Sequence, residues 1–158
     1  MFLEKEITME KLIAKNPVAY HNYTINDKLE AGIVLTGTEI KSIRKGSCNI
    51  KDCYGIIRHG EIYLLNMFIG QYKEGNIFNH EETRDRKLLL HKKEIKKIAQ
   101  AIEVQGLTIV PLKLYLSSNN KLKVLIGVCR GKKNYDKRES IKDRDIKREV
   151  SKNLKNYR

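Results

Sequence analysis

The sequence predicts a mostly β protein with helices: a small antiparallel barrel, flanking helices and a flexible basic C-terminal tail. Three observations predict it. Short apolar stretches with turn signals between them fill residues 16–130. Only two segments carry helical punctuation. From residue 131 onward the chain turns polar and densely charged. Six or so short strands with two inserted helices fit a closed or nearly closed barrel.

Residues 1–15 read as a weakly helical, mixed-charge lead-in, in which Met9 is a possible second start. Val18 to Ile25 and Leu29 to Leu35 read as strands around a turn at Asn26-Asp27. Thr36-Gly37-Thr38-Glu39 has the form of a capping box, so a short helix follows, with Ile40 and Ile43 inward and Gly46 at its end. Tyr54 to Arg58 and Glu61 to Asn66 flank His59-Gly60, a two-residue hairpin signal. A second helix spans Lys92 to Gln105, with Ile95, Ile98 and Ile102 as its buried stripe and Gly106 as its stop. Leu107 to Leu116 is a long strand that Pro111 marks as an edge or a bulge. After a turn at Ser117 to Asn120, Lys121 to Arg130 alternates, with Leu122, Val124, Ile126 and Val128 on one face.

Charge narrows the function. The chain carries 32 Lys and Arg against 19 acidic residues, a formal net charge of +13. A surplus of that size points to a polyanion, and nucleic acid fits best. The oligonucleotide-binding type of barrel suits such a chain. RNA, DNA and an anionic membrane surface are the candidate polyanions, of which nucleic acid is favoured and no membrane partner is expected; no apolar run approaches the ~20 residues of a membrane span. Met1 to Glu6 has no apolar signal core. Cys48, Cys53 and Cys129 are odd in number and widely spaced, which argues for reduced thiols in the cytoplasm and against zinc or disulfides. No metal or cofactor is expected.

The tail, Arg130 to Arg158, holds twelve Lys or Arg and five acidic residues, about half of the net charge. Ile146, Val150 and Leu154 recur every four residues, and Ser140 with Asp143 offers a helix start. One narrow stripe cannot offset the ordering entropy, so the tail is expected to be disordered alone and helical when laid on a surface.

Several clusters are candidate contacts. Gly131 to Arg138 interleaves Lys132, Lys133, Lys137 and Arg138 with Tyr135, cations for phosphates and a ring for a base or ribose; the plainer reading is a solvated linker. In Arg84 to Lys93 the charges are suited to an RNA groove while Leu88 and Leu90 enter the core, which leaves Leu89 facing outward; the plainer reading is a strand-to-helix junction. Glu30 is an acid in a basic and apolar zone, useful on an RNA face only as an acceptor for a base edge, and otherwise an ordinary strand residue. Asn79-His80-Glu81-Glu82 and the four histidines are the only hint of acid–base chemistry. A metal-free nuclease needs two positioned proton-transfer groups and a cation by the phosphate, and the spacing supplies neither. No catalytic activity is expected.

Four ordered motifs carry a family resemblance: Glu30-Ala31-Gly32-Ile33, Gly37 to Arg44, Arg86 to His91, and Gly131-Lys132-Lys133-x-Tyr135-Asp136-Lys137-Arg138. In this order the chain resembles the bacterial SsrA-binding (small protein B) family from about Asn16 onward. It departs from that pattern at Pro17-Val18, Glu81 and Val150. The resemblance implies an oligonucleotide-binding-type barrel that binds the tRNA-like domain of transfer-messenger RNA. It implies delivery of that RNA, with elongation factor Tu held through it, to stalled 70S ribosomes for trans-translation. Glu30, Leu89, His91, Lys123 and Lys133 are then RNA-face residues. Lys132, Tyr135, Lys137 and Arg138 join barrel to tail. Ile141, Ile146, Lys147, Arg148 and Val150 belong to a tail that folds in the empty mRNA channel. A monomer is expected.

Overall fold

The structure, a computed structural model, describes residues 9–72 and 79–132. Nine strands and three helices follow one another there: β1 (Met9–Lys15), α1 (Pro17–Asn22), β2 (Tyr23–Ile33), α2 (Gly37–Arg44), β3 (Cys48–Asn49), β4 (Tyr54–Arg58), β5 (Glu61–Leu65), β6 (Phe68–Ile69), β7 (Arg86–Leu89), α3 (Lys92–Gln105), β8 (Thr108–Ser117) and β9 (Leu122–Gly131). Every strand pairing is antiparallel. Going round from β8, the order is β4, β5, β7, β2, β9 and back to β8, so six strands close a ring. β1 lies beside β8 over Lys113 to Ser117, while β4 meets β8 at Ile109. One strand thus has three neighbours. β3 and β6 pair separately.

The expected barrel is present, and several of its parts differ from the sequence reading. Residues 9–15 are a strand of the large sheet, so the sheet begins before residue 16. Tertiary pairing with β8 overrides the helical composition of Met9–Lys15. Val18 does not begin a strand. Asn16 and Pro17 start α1 instead: the Asn16 side chain accepts from the Ala19 N–H at 3.2 Å, and Pro17 occupies the first turn, where its missing N–H costs nothing. Asn26-Asp27 is no turn. β2 runs straight through it, with an irregularity in the β9 pairing between Ile25 and Asp27.

Other elements form as read. Thr36 and Glu39 make the reciprocal capping box of α2. His59 and Gly60 both take positive φ, 52° and 75°, as a primed type I hairpin turn requires. Gly106 caps α3 in the left-handed region. Pro111 lies at an irregularity in the β9 pairing, between Pro111 and Lys113, and on its other side it falls in the gap between the β4 contact at Ile109 and the β1 pairing that starts at Lys113.

Two cores result. The barrel interior gathers Leu29, Ala31, Ile62, Leu64, Leu88, Ile109, Leu114, Val124, Ile126 and Val128, closed at one end by Ile95, Ile98 and Ala101 of α3. Ala101 takes the buried place expected of Ile102, which packs at the margin. Outside the barrel, Val110, Leu112, Tyr115, Leu125 and Cys129 form a second cluster with Ala19 of α1. Leu125 is therefore buried although it alternates with the interior residues, and β8 and β9 are apolar on both faces.

Candidate nucleic-acid interface

Three of the expected contact residues meet on the outer surface of the barrel. Gly32 in β2 is the register partner of Leu89 in β7 and of Lys123 in β9. Leu89, Gly32 and Lys123 thus form one row across three strands. Glu30, opposite Leu125, stands two residues along β2 on the same face. Leu89 points outward as expected and is 53% exposed, while its neighbour Leu88 is fully buried. Gly32 leaves the row low in the middle: a Cβ there would stand 3.2 Å from the Leu89 Cβ. Beside the row runs a groove of about 410 Å³, lined by Leu35, Ile40, Leu89 and Leu122 with Arg44, Lys121 and Lys123. Its lining thus mixes apolar and cationic side chains. Arg44 and Lys121 were not singled out in the sequence; helical spacing at the end of α2 and the turn before β9 bring them there.

Glu30 is held from behind. The Tyr115 hydroxyl donates to its Oε2 at 2.5 Å. Burial, and then the bond to the Glu30 carboxylate, push the Tyr115 hydroxyl far above the usual phenol range, so it stays a donor. His91 is the residue before α3, two beyond Leu89; its backbone N–H donates to Glu94 Oε1 at 3.2 Å and its side chain is 75% exposed. Lys132 lies elsewhere. It follows the far end of β9, about 30 Å along the strand from Lys123, with its N–H bonded to Asn22 O and its Nζ to Tyr20 O at 3.2 Å. Lys133, Tyr135, Lys137, Arg138, Ile141, Ile146, Lys147, Arg148 and Val150 lie outside the described residues.

The charges of Arg84 and Arg86 do not line a surface groove. Arg86 is buried, and every N–H of its guanidinium is used. Nε donates to Glu39 Oε2 at 2.5 Å, Nη1 to the carbonyls of Met67 and Arg84 at 2.5 and 2.9 Å, and Nη2 to those of Glu81 and Glu82 at 3.4 and 3.3 Å. Arg84 Nη2 reaches the other Glu39 oxygen at 2.6 Å. Burial alone would raise the Glu39 carboxyl, but Arg84, the Thr36 N–H and Arg86 outweigh it and hold it below the ordinary carboxylate value. Lys87 pairs with Glu61 at 3.7 Å.

His80 also serves the fold. It is buried, with Nδ1 2.8 Å from Thr38 Oγ1 and Nε2 2.9 Å from Ile69 O. The carbonyl can only accept, so Nε2 carries a hydrogen. Burial raises the thiols of Cys48, Cys53 and Cys129, the latter two to about 12 and about 11, which favours the protonated thiol over the thiolate. Among the described residues, no group of three His, Cys, Asp or Glu side chains is placed to hold a metal ion, and no helix is long and apolar enough to cross a membrane.

The family model described as SmpB protein matches residues 13–156. The chain belongs to the SmpB family. SsrA-binding proteins of Staphylococcus aureus strains JH1 and Newman are each 55% identical to it over 143 residues, covering 90% of this chain and 92% of theirs. A chain in a solved structure of tmRNA–SmpB and the bacterial ribosome is 41% identical, with a TM-score of 0.64, covering 81% of this chain and 93% of that one. The SmpB match begins within β1, which agrees with the membership of that strand in the sheet.

Proposed function

We propose that this protein binds the tRNA-like domain of transfer-messenger RNA and brings that RNA to stalled ribosomes for trans-translation. Membership of the SmpB family supports this reading, as do close relatives named SsrA-binding proteins and a structural relative bound up with tmRNA and the ribosome. The observation that carries it to particular residues is the convergence of Glu30, Leu89 and Lys123 beside a cationic groove. Lys123, with Arg44 and Lys121, meets phosphates. Leu89 packs on a ribose or an unstacked base. Glu30 accepts hydrogen bonds from a base edge, a role that a carboxylate fills and a cation cannot. His91 extends the face toward α3.

Lys132, Lys133, Tyr135, Lys137 and Arg138 continue the contact toward the tail. Ile141, Ile146, Lys147, Arg148 and Val150 act in the empty mRNA channel. Elongation factor Tu joins through the shared RNA. The protein works as a cytoplasmic monomer, with no catalytic step of its own.

A gel shift with the tRNA-like domain, competed by bulk tRNA and duplex RNA, tests the face. Glu30→Gln is expected to weaken binding by about 1–3 kcal/mol although it makes the chain more positive. Non-specific attraction to phosphate predicts the opposite sign, so tighter binding by the folded variant would remove Glu30 from the interface.

A further inference from the structure

We infer that Tyr115 is a positioning residue for RNA recognition, acting through Glu30; this rests on the reading of Glu30 as an RNA-face acceptor. The two residues are not on neighbouring strands. Tyr115 in β8 stands opposite Lys123 in β9, and Glu30 in β2 stands opposite Leu125 in the same β9. The two side chains therefore reach toward each other over β9, together bridging about 10 Å of sheet, and the Tyr115 hydroxyl donates to Glu30 Oε2 at 2.5 Å. Its ring is fully buried in the outer cluster with Leu112, Leu125 and Cys129. The hydroxyl is buried as well, and Glu30, which accepts from it, is half-buried.

This arrangement has a physical reason. A Glu side chain on a strand surface has three rotatable bonds and no fixed direction. An acceptor that must meet a base edge loses affinity to that freedom, because each side chain immobilised on binding costs free energy. A donor fixed by a packed ring removes the freedom in advance. The bond is charge-assisted and short, the stronger kind. A carboxylate has about four acceptor positions, so the Tyr115 bond orients the group without exhausting it. The ring itself is too deeply buried to touch RNA, which separates this role from stacking.

Tyr115→Phe keeps the ring and removes only the donor. Binding of the full-length variant to a transcript of the tRNA-like domain is expected to fall about three- to tenfold, while binding to a non-specific hairpin duplex is unchanged. With Glu30→Gln already present, adding Tyr115→Phe is expected to change affinity by less than about twofold, since the two act as one unit. Full affinity in Tyr115→Phe, with Glu30→Gln weakened, would overturn the positioning role and leave the face intact. No effect from Glu30→Gln would remove Glu30 from the interface and the positioning role with it. An equal loss in both backgrounds, or on both RNAs, would assign Tyr115 to the fold and overturn the inference.

Discussion

Every donor of the Arg86 guanidinium has an acceptor inside the protein, and five chain positions between Glu39 and Arg84 supply them. Removing one side of such a buried pair leaves the other side stranded. Arg86→Met is therefore expected to lower the unfolding free energy by about 3–5 kcal/mol in urea titration, with little change in the exposed face formed by Leu89 and Lys123. Glu39 adds a pH dependence. Its folded value lies below its ordinary 4.5, so its contribution is complete above that pH and disappears as pH falls through the folded value. Urea midpoints should decline on acidification below about pH 4.5, and more shallowly in Glu39→Gln; an equal decline in both would place the acid sensitivity elsewhere. At this scale the sequence was partly legible. Strand alternation already ties Arg86 to Leu88, so an inward Leu88 implied an inward Arg86. The partner, Glu39, is 47 residues away and no local pattern connects them. Tyr115 was hidden for the opposite reason: it sits in a strand apolar on both faces, where alternation carries no signal.

Elements whose ends are set by local chemistry were readable, and those set by distant pairing were not. The α2 capping box, the His59-Gly60 turn and the Gly106 stop all lie within a few residues of what they define. β1 was missed because β8, far along the chain, makes it a strand. α1 was missed despite a local signal, Asn16 ahead of Pro17, because the apolar residues behind them suggested a strand. Asn16 does more than cap. Its Nδ2 donates to Ile50 O at 3.1 Å and to Pro111 O at 2.9 Å, and its N–H to Leu112 O, all in a buried setting. Asn16→Ala is expected to cost about 2–3 kcal/mol in thermal or urea unfolding, since it strands two carbonyls and the cap at once; a loss under 1 kcal/mol would show that water replaces the amide. Gly55 is constrained by space: a Cβ there would stand 2.7 Å from the Ile109 Cγ2 across the β4–β8 contact.

For the whole molecule, charge decides how affinity responds to salt. If the barrel face neutralises about five phosphates, log affinity should fall against log salt with a slope of roughly −3 to −5. A slope near zero would detach the basic surplus from binding. The barrel closes on itself through β8 and β9 without any residue beyond 132. A chain cut after Lys133 is therefore expected to bind the tRNA-like domain within about tenfold of the full protein, yet to fail in peptide tagging by a reconstituted translation system. Tagging at normal rates would return residues 133–158 to the status of a solvated extension. The barrel as a class of fold was legible because short strands and turn signals recurred along residues 16–130. The placement of Glu30, Leu89 and Lys123 on one face needed the β7–β2–β9 order, which pairs residues about 60 to 90 positions apart.

That same ring sets a clock on the making of the molecule. β2 must wait for β9, and β1 for the far half of β8, so two of the largest pairings join the first third of the chain to the last. Topologies dominated by such long closures fold in milliseconds to seconds, well behind helical bundles. During synthesis, which proceeds from the N-terminus at about 5–20 residues per second, the early strands spend several seconds without partners. A nascent chain interrupted before Leu122 has no β9 with which to close, and it remains an open sheet with exposed edges.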